Sequence, residues 1–218
     1  MKAKLILSLI FPIITFSFSG FAQSGDAILK NSASTFLNLQ DLSADILYEI
    51  KNPNASQPII SQRGRFLQAQ EKYVIQLPDQ EVYCDGQTLW ILIPAQPKEN
   101  SEVTILNVDP EERPMLLDFF SKIYLSENTA ILKGNQVIEG RVFDEIDVLI
   151  KDSNTDFARA NLWINESTGF PERIIIWDKR QTSTLFQFSN IQLNQGLPAS
   201  TFVFDTSNFQ GEIFEERE

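Results

Sequence analysis

Asp144, Glu145 and Asp147 stand within one short stretch, RVFDEIDVLIK, and paired carboxylates are the first chemistry to ask of it. In an extended chain successive side chains point to opposite faces, so Glu145 and Asp147 share one side while Asp144 takes the other. That is not the pair facing across a cleft that glycoside hydrolysis uses. Glu111 and Glu112 precede a proline and an apolar run, and read as helix-start charges stabilised by the helix dipole. Histidine is absent and Cys84 is the lone cysteine. Their scarcity removes Ser-His-Asp and Cys-His catalysis, the commonest metal ligand, any thiolate metal site and any internal disulfide. No GxGxxG, Walker A, HExxH or EF-hand pattern occurs. Cys84, beside a turn, is expected to be a small buried residue rather than an exposed thiol. The expectation is a protein that is no enzyme and uses neither cofactor nor metal.

Charge and the N-terminus narrow the class. Lys2 and Lys4 precede an apolar run from Leu5 to about Phe18, and Gly20 and Ala22 are small residues at cleavage positions. This is the pattern of a signal peptide, with residues 1–22 expected to be removed and 23–218 to form one domain. The 218 residues carry 18 basic and 29 acidic side chains, a formal −11. Such a balance opposes nucleic acid and anionic membrane surfaces.

The elements that would position any site follow from periodicity. Apolar residues recur at three- and four-residue spacing from Asp26 to about Leu39, including Ile28, Leu29, Ala33, Phe36 and Leu37, which predicts an amphipathic helix. LSADILYEIK alternates over ten residues as a half-buried strand. IISQRGRFLQAQ, KYVIQL, QEVYC, LWILI and EVTILNV follow as strands; Asp85-Gly86 reads as a two-residue hairpin turn setting Cys84 opposite Gln87 and Glu81 opposite Trp90. On that parity Trp90 and Leu92 share one face, Leu89 and Ile91 the other. DPEERPMLLDFFSKIY predicts a second, short helix. Gly134-Asn135 and Glu139-Gly140 are read as separating short strands; RVFDEIDVLIK, ARANLWIN, PERIIIWDK, TSTLFQFSNIQLN and STFVF complete the set, and the charged tail EIFEERE is expected to fray. With no βαβ alternation the class is α+β: about ten antiparallel strands in one curved sheet, with helices on one face.

LWILI, RIIIW and MLLDFF hold more apolar residues than one inward face needs, and the chain has 17 phenylalanines. Core packing explains most of them, and an interior of this kind reachable from water binds apolar ligands. Gly64-x-Phe66, then Asp85-Gly86-x-x-Leu89-Trp90-x-x-x-Pro94, then Phe188-Ser189-Asn190-Ile191 with Leu197-Pro198 and Phe202-x-Phe204, resemble the LolA family of periplasmic lipoprotein carriers over nearly the whole mature chain. The resemblance implies an unclosed antiparallel β-barrel, a strongly curved sheet of about ten or eleven strands with helices covering the concave face as a lid, whose hydrophobic cavity takes the acyl chains of a lipoprotein. It implies a monomer in the periplasm that receives acylated lipoproteins from an inner-membrane lipoprotein-releasing ABC transporter and delivers them to an outer-membrane acceptor. Mapped onto this chain, the cavity and lid residues are Ile28, Phe36, Met115 and Phe119 on helices, and Ile46, Tyr48, Phe66, Tyr73, Ile75, Trp90, Leu92, Trp177, Phe186 and Phe188 on strands. One departure stands out: the family's Arg-Pro pair after Gly-x-Phe, whose Arg helps hold the lid, is here Gln70-Glu71, and nearby Lys72 lacks the guanidinium fork.

The physics of such a carrier is a balance. Burying acyl chain is favourable by about 0.8 kcal/mol per CH₂, so a chain of about 15 methylenes is worth roughly 12 kcal/mol in a dry site. Release then requires that the empty state already recover part of that through lid contacts. The alternative reading is a lipid- or lipoprotein-sensing regulatory module on the same half-barrel; regulators that resemble it carry a further domain. A membrane-anchored receptor would need a lipid-modified Cys after the signal.

Overall fold

The computed structural model describes residues 24–109 and 128–216. The signal segment and the second helix, with Met115 and Phe119, lie outside the described residues. Among the described residues one α-helix, α1 (Gly25–Leu37), is capped by Ser24, whose Oγ accepts the Ala27 N–H at 3.2 Å. Twelve strands follow: β1 (Leu42–Lys51), β2 (Ile60–Ala69), β3 (Lys72–Leu77), β4 (Gln80–Cys84), β5 (Thr88–Ile93), β6 (Glu102–Asn107), β7 (Thr129–Ile138), β8 (Arg141–Leu149), β9 (Phe157–Asn165), β10 (Pro171–Asp178), β11 (Ser183–Leu193) and β12 (Glu212–Glu216). They form one sheet in the order β12-β6-β5-β4-β3-β2-β1-β11-β10-β9-β8-β7, which does not close on itself. Two antiparallel meanders, β1 to β6 and β7 to β11, meet where β11 returns beside β1.

The open, mostly antiparallel sheet with a helix is the expected architecture, and β1 to β6 and β8 to β11 fall within a residue or two of the predicted segments. Four details differ. Gly134-Asn135 does not divide two strands: β7 runs through it, with a bulge between Leu132 and Gly134 that the positive φ of Gly134 permits. STFVF is no strand; Ala199–Phe202 is a 3₁₀ turn that tucks Phe202 against the sheet. Glu212–Glu216 of the acidic tail does not fray but forms β12, parallel to β6, giving twelve strands among the described residues where ten or eleven were expected. The Asp85-Gly86 hairpin is longer: Asp85 Oδ1 accepts the N–H groups of Gln87 and Thr88 at 2.9 and 2.7 Å, an Asx-type cap that moves the register by two and sets Cys84 opposite Leu89 and Glu81 opposite Leu92. A shift of two preserves parity, so the predicted division of Trp90 and Leu92 from Leu89 and Ile91 holds.

α1 lies on one face of the sheet, here the inner face, against β7 and β8. Its approach is close enough that a Cβ on Gly25 would lie 2.5 Å from the Ala130 carbonyl oxygen. Asp26 accepts the Ala130 N–H at 2.8 Å, so the helix start covers part of the β7 edge. From Phe36 a run of ring contacts crosses the inner face: Phe36 to Phe170, Phe170 to Phe188, and Phe188 to Phe66, at centroid distances of 6.5, 5.6 and 6.1 Å. The Gly-x-Phe motif has a backbone cause, since a Cβ on Gly64 would overlap the Gln76 carbonyl of β3.

Candidate functional site

Alternation assigns every strand residue a face. Ile46 and Tyr48 of β1 pair with Phe188 and Phe186 of β11, Ala44 with Phe66, Phe66 with Ile75, and Tyr73 with Cys84. With Ile28 and Phe36 of α1 these side chains belong to one hydrophobic cluster on the inner face, with Tyr48 and Ile75 packed at its margin. Nine of the predicted cavity residues are thus brought together. Under α1 the cluster is closed: Ile146, Leu162 and Ile174 are wholly buried.

Toward β3, β4, β5 and β6 the inner face changes character. Ile75, Leu77, Val82, Leu89, Ile91 and Leu106 share that face by register and are only half-buried, and Ile93 is 44 % exposed. This row of apolar side chains is the candidate site. Of this row the family motif points only to Ile75 and singles out Trp90; the hairpin parity places Leu89 and Ile91 on the inner face once Trp90 faces outward.

Trp90, Leu92 and Trp177 are corrections. Trp90 and Leu92 lie on the outer face, in a second cluster with Val103 and Ile105 against which Phe204 and Phe209 pack. Tyr83, opposite Trp90, packs against Phe204 with tilted rings and centroids 5.4 Å apart, and Phe202 joins Leu67 and Val74 in a third cluster. The segment from Leu197 to Phe209 therefore roofs the outer face of β2 to β6. Asp41 ties it down, its carboxylate accepting the N–H groups of Gln195, Gly196 and Leu197 at 2.8, 2.6 and 3.0 Å. Trp177 also faces outward, beside Ser183 of β11, because the inward positions of β10 are Ile174 and Ile176.

Electrostatics on the inner face fit an apolar surface. Burial pushes the Tyr48 hydroxyl and the Cys84 thiol above their ordinary pKa values. Cys84 is buried, as expected. Gln70 and Glu71, at the position of the family's latch, form the tight β2–β3 turn, with Gln70 at positive φ. The carboxylates of β8 are clamped by amides rather than facing each other. Glu145 and Asp147 both accept from Asn161 Nδ2, at 3.1 and 2.8 Å; Asp144, on the other face, and Glu166 both accept from Asn135 Nδ2, at 2.7 and 2.6 Å. Burial and then the Glu166 charge raise the pKa of Asp144. Among the described residues no three acidic or cysteine side chains converge as a metal site requires.

Solved structures share this architecture. An uncharacterised conserved protein from Thermus thermophilus superposes with a TM-score of 0.52 at 8 % identity, over 87 % of this chain and 97 % of its own. A LolA superfamily protein from Nitrosomonas europaea matches at 0.43 and 15 % identity over 84 % and 98 %, and lipoprotein LppX from Mycobacterium tuberculosis at 0.48 and 13 % over 80 % and 97 %. At these identities the likeness concerns the fold alone. Comparison with curated proteins finds no match. The description of the YdcC-like sporulation proteins matches residues 1–202, nearly the whole sequence, and the chain belongs to that family.

Proposed function

We propose that the protein is an exported, non-enzymatic carrier that holds the acyl chains of a lipoprotein or lipid on the inner face of β1 to β6 and moves them between membranes. The observation that carries this is the half-buried apolar row from Ile75 to Leu106, on the same face whose other half is closed under α1. A soluble chain that leaves such a row incompletely covered gains free energy when hydrocarbon covers it. The apolar contacts under α1 and the aromatic run to Phe66 give the sheet a rigid wall, while half-buried Leu and Ile side chains suit a ligand without fixed shape. In the carrier reading the cargo is an acylated lipoprotein, released in the periplasm by an inner-membrane ABC transporter and passed to an outer-membrane acceptor. The family's description as sporulation proteins suggests the process in which the cargo moves.

A hydrophobic fluorescent probe is expected to bind the purified protein and to be displaced by a diacylated lipopeptide at micromolar concentration, with the deacylated peptide inert. Organic extracts of protein isolated from its own envelope are expected to contain acyl lipid by mass spectrometry. Probe binding without displacement by the lipopeptide, together with lipid-free extracts, would sink the reading.

A further inference from the structure

The half-buried row assigned to cargo has a direction. In register across the sheet, Phe66, Ile75, Val82, Ile91, Thr104 and Phe214 follow one another from β2 to β12 on the inner face. Exposure rises along that line: Phe66 is 0 % exposed, Ile75, Val82 and Ile91 are half-buried, and Phe214 at the sheet edge is 42 % exposed. Hydrocarbon is shielded best at the dry end, whereas a polar head placed there would lose its hydration, so an acyl chain on this row lies with its methyl end at Phe66 and its head toward β12. A single acyl layer, half of a hydrocarbon core about 30 Å thick, is about 15 Å long. Strands stand about 4.8 Å apart, so a chain of that length laid across them covers about three spacings, from β2 to β5. Its head then comes to lie over β6 and β12.

The inner-face positions of those two strands are acidic. Glu102 of β6 is the register partner of Ile93 on one side and of Glu212 on the other, so two carboxylates stand directly opposite each other at the end of the apolar row. Glu216 is the partner of Leu106, and alternation puts Glu212 and Glu216 on either side of Phe214 on the same face. No Lys or Arg occurs in β4, β5, β6 or β12, and in the loop from β5 to β6 Lys98 is offset by Glu99. Among the described residues none of these three carboxylates is in an ion pair. Like charges directly opposite one another on a sheet repel, and a cation placed between them relieves the repulsion. Resting on the carrier reading, we propose that the cargo's head is cationic: an acylated peptide with Lys or Arg next to its lipid, its chain on the row and its positive charge on Glu102, Glu212 and Glu216. Acyl ligands with anionic heads are rejected at the same place by like charge.

The test displaces an uncharged fluorescent acyl ester from the full chain with two diacylated lipopeptides that differ only in their peptide, Cys-Ser-Lys-Lys or Cys-Ser-Glu-Glu. Each affinity is read relative to that of the ester for the same variant. At low salt the Lys lipopeptide is expected to bind about tenfold or more tightly than the Glu one, and the difference to shrink at high salt. The double variant Glu102→Lys/Glu212→Lys, changed at two exposed positions, is expected to reverse the preference. Glu216→Lys is expected to narrow it by a smaller factor, and decides should the double variant fail to fold. Glu139→Lys/Asp156→Lys alters net charge as much as the first double variant, at exposed positions in and beyond the β7–β8 hairpin, and is expected to keep the preference. Equal affinities of the two lipopeptides would overturn the cationic head and leave the carrier reading standing, whereas displacement by neither would remove both. A preference that survives the changes at Glu102, Glu212 and Glu216, or that the Glu139→Lys/Asp156→Lys control loses as fully, would trace it to the charge of the whole chain and overturn the proposal.

Discussion

The two ends of the sheet put their cores on opposite faces. In β7 to β11 the inner face is dry, with Ile146, Leu162 and Ile174 sealed under α1, and the outer face carries Glu145, Asp147, Asn161 and Arg173. In β5 and β6 the outer face is the dry one, where Trp90, Leu92, Val103 and Ile105 pack beneath Phe204 and Phe209, and the inner face, beyond the buried Phe66, Tyr73 and Cys84 of β2 to β4, keeps the half-buried apolar row. Strand alternation alone makes one apolar face per strand. TLWILI is apolar on both because one face is roofed by the chain itself and the other is the one we assign to ligand. The difference teaches that stability and binding are separated by face: the C-terminal roof lets β2 to β6 be stable without closing the inner side.

That separation is most sharply broken by truncating each dry face in turn. Leu162→Ala, in the half under α1, removes a fully buried side chain and is expected to cost about 3–4 kcal/mol in urea denaturation. Phe202→Ala is expected to cost a similar amount, about 3–4 kcal/mol, although Phe202 lies on the opposite face and in a 3₁₀ turn. Were Phe202→Ala nearly neutral, the C-terminal segment would be an ornament and the outer face of β2 to β6 would need another cover.

A smaller loss is expected from Asp41→Ala, which releases the three N–H groups that begin the roof, at about 2–3 kcal/mol near neutral pH. Burial pushes the Asp41 carboxyl up, but the hydrogen bonds from Gln195, Leu197 and Gly196 outweigh it and hold its pKa below the ordinary value. A depressed folded pKa gives stabilisation that is present above the unfolded value, about 3.9, and is lost as pH falls through the folded one. The gap between wild type and Asp41→Ala is therefore expected to be constant from neutral pH down to about 4 and to shrink below it. A gap that widens with acid would assign the attachment to other groups.

Much of this was legible in the sequence because alternation and turn chemistry are local. β1 was readable to the residue, and the parity of the 80s hairpin survived an error of two in its register, since the Asx cap lengthened the loop by an even number. What was not legible depends on distant contacts. Nothing near Trp90 signals that Phe204 and Phe209 will cover it, so a large aromatic in a family motif was assigned to the cavity from which it points away. The tail EIFEE looked too charged to pair, yet an edge offers backbone partners to any extended segment regardless of side chains, and β6 had one edge open. Gly134 reads locally as a breaker but serves as a bulge, a distinction set by whether the partner strand continues past it.

Ile91→Glu separates the faces with the least effect on the fold. Ile91 sits between Val82 and Thr104 on the inner face, half-buried and outside the dry clusters, so a charged side chain there can reach water and is expected to change stability by under about 1 kcal/mol. An acyl chain laid along the row would have to desolvate that carboxylate, and displacement titrations are expected to show lipopeptide affinity reduced by about tenfold or more. The contrasting change is Trp90→Phe, one residue away and on the other face, which keeps an aromatic ring under Phe204 and is expected to leave lipopeptide affinity unaltered. If Trp90→Phe weakened binding as much as Ile91→Glu, the ligand would be on the outer face, and the assignment of stability to one side and cargo to the other would be reversed.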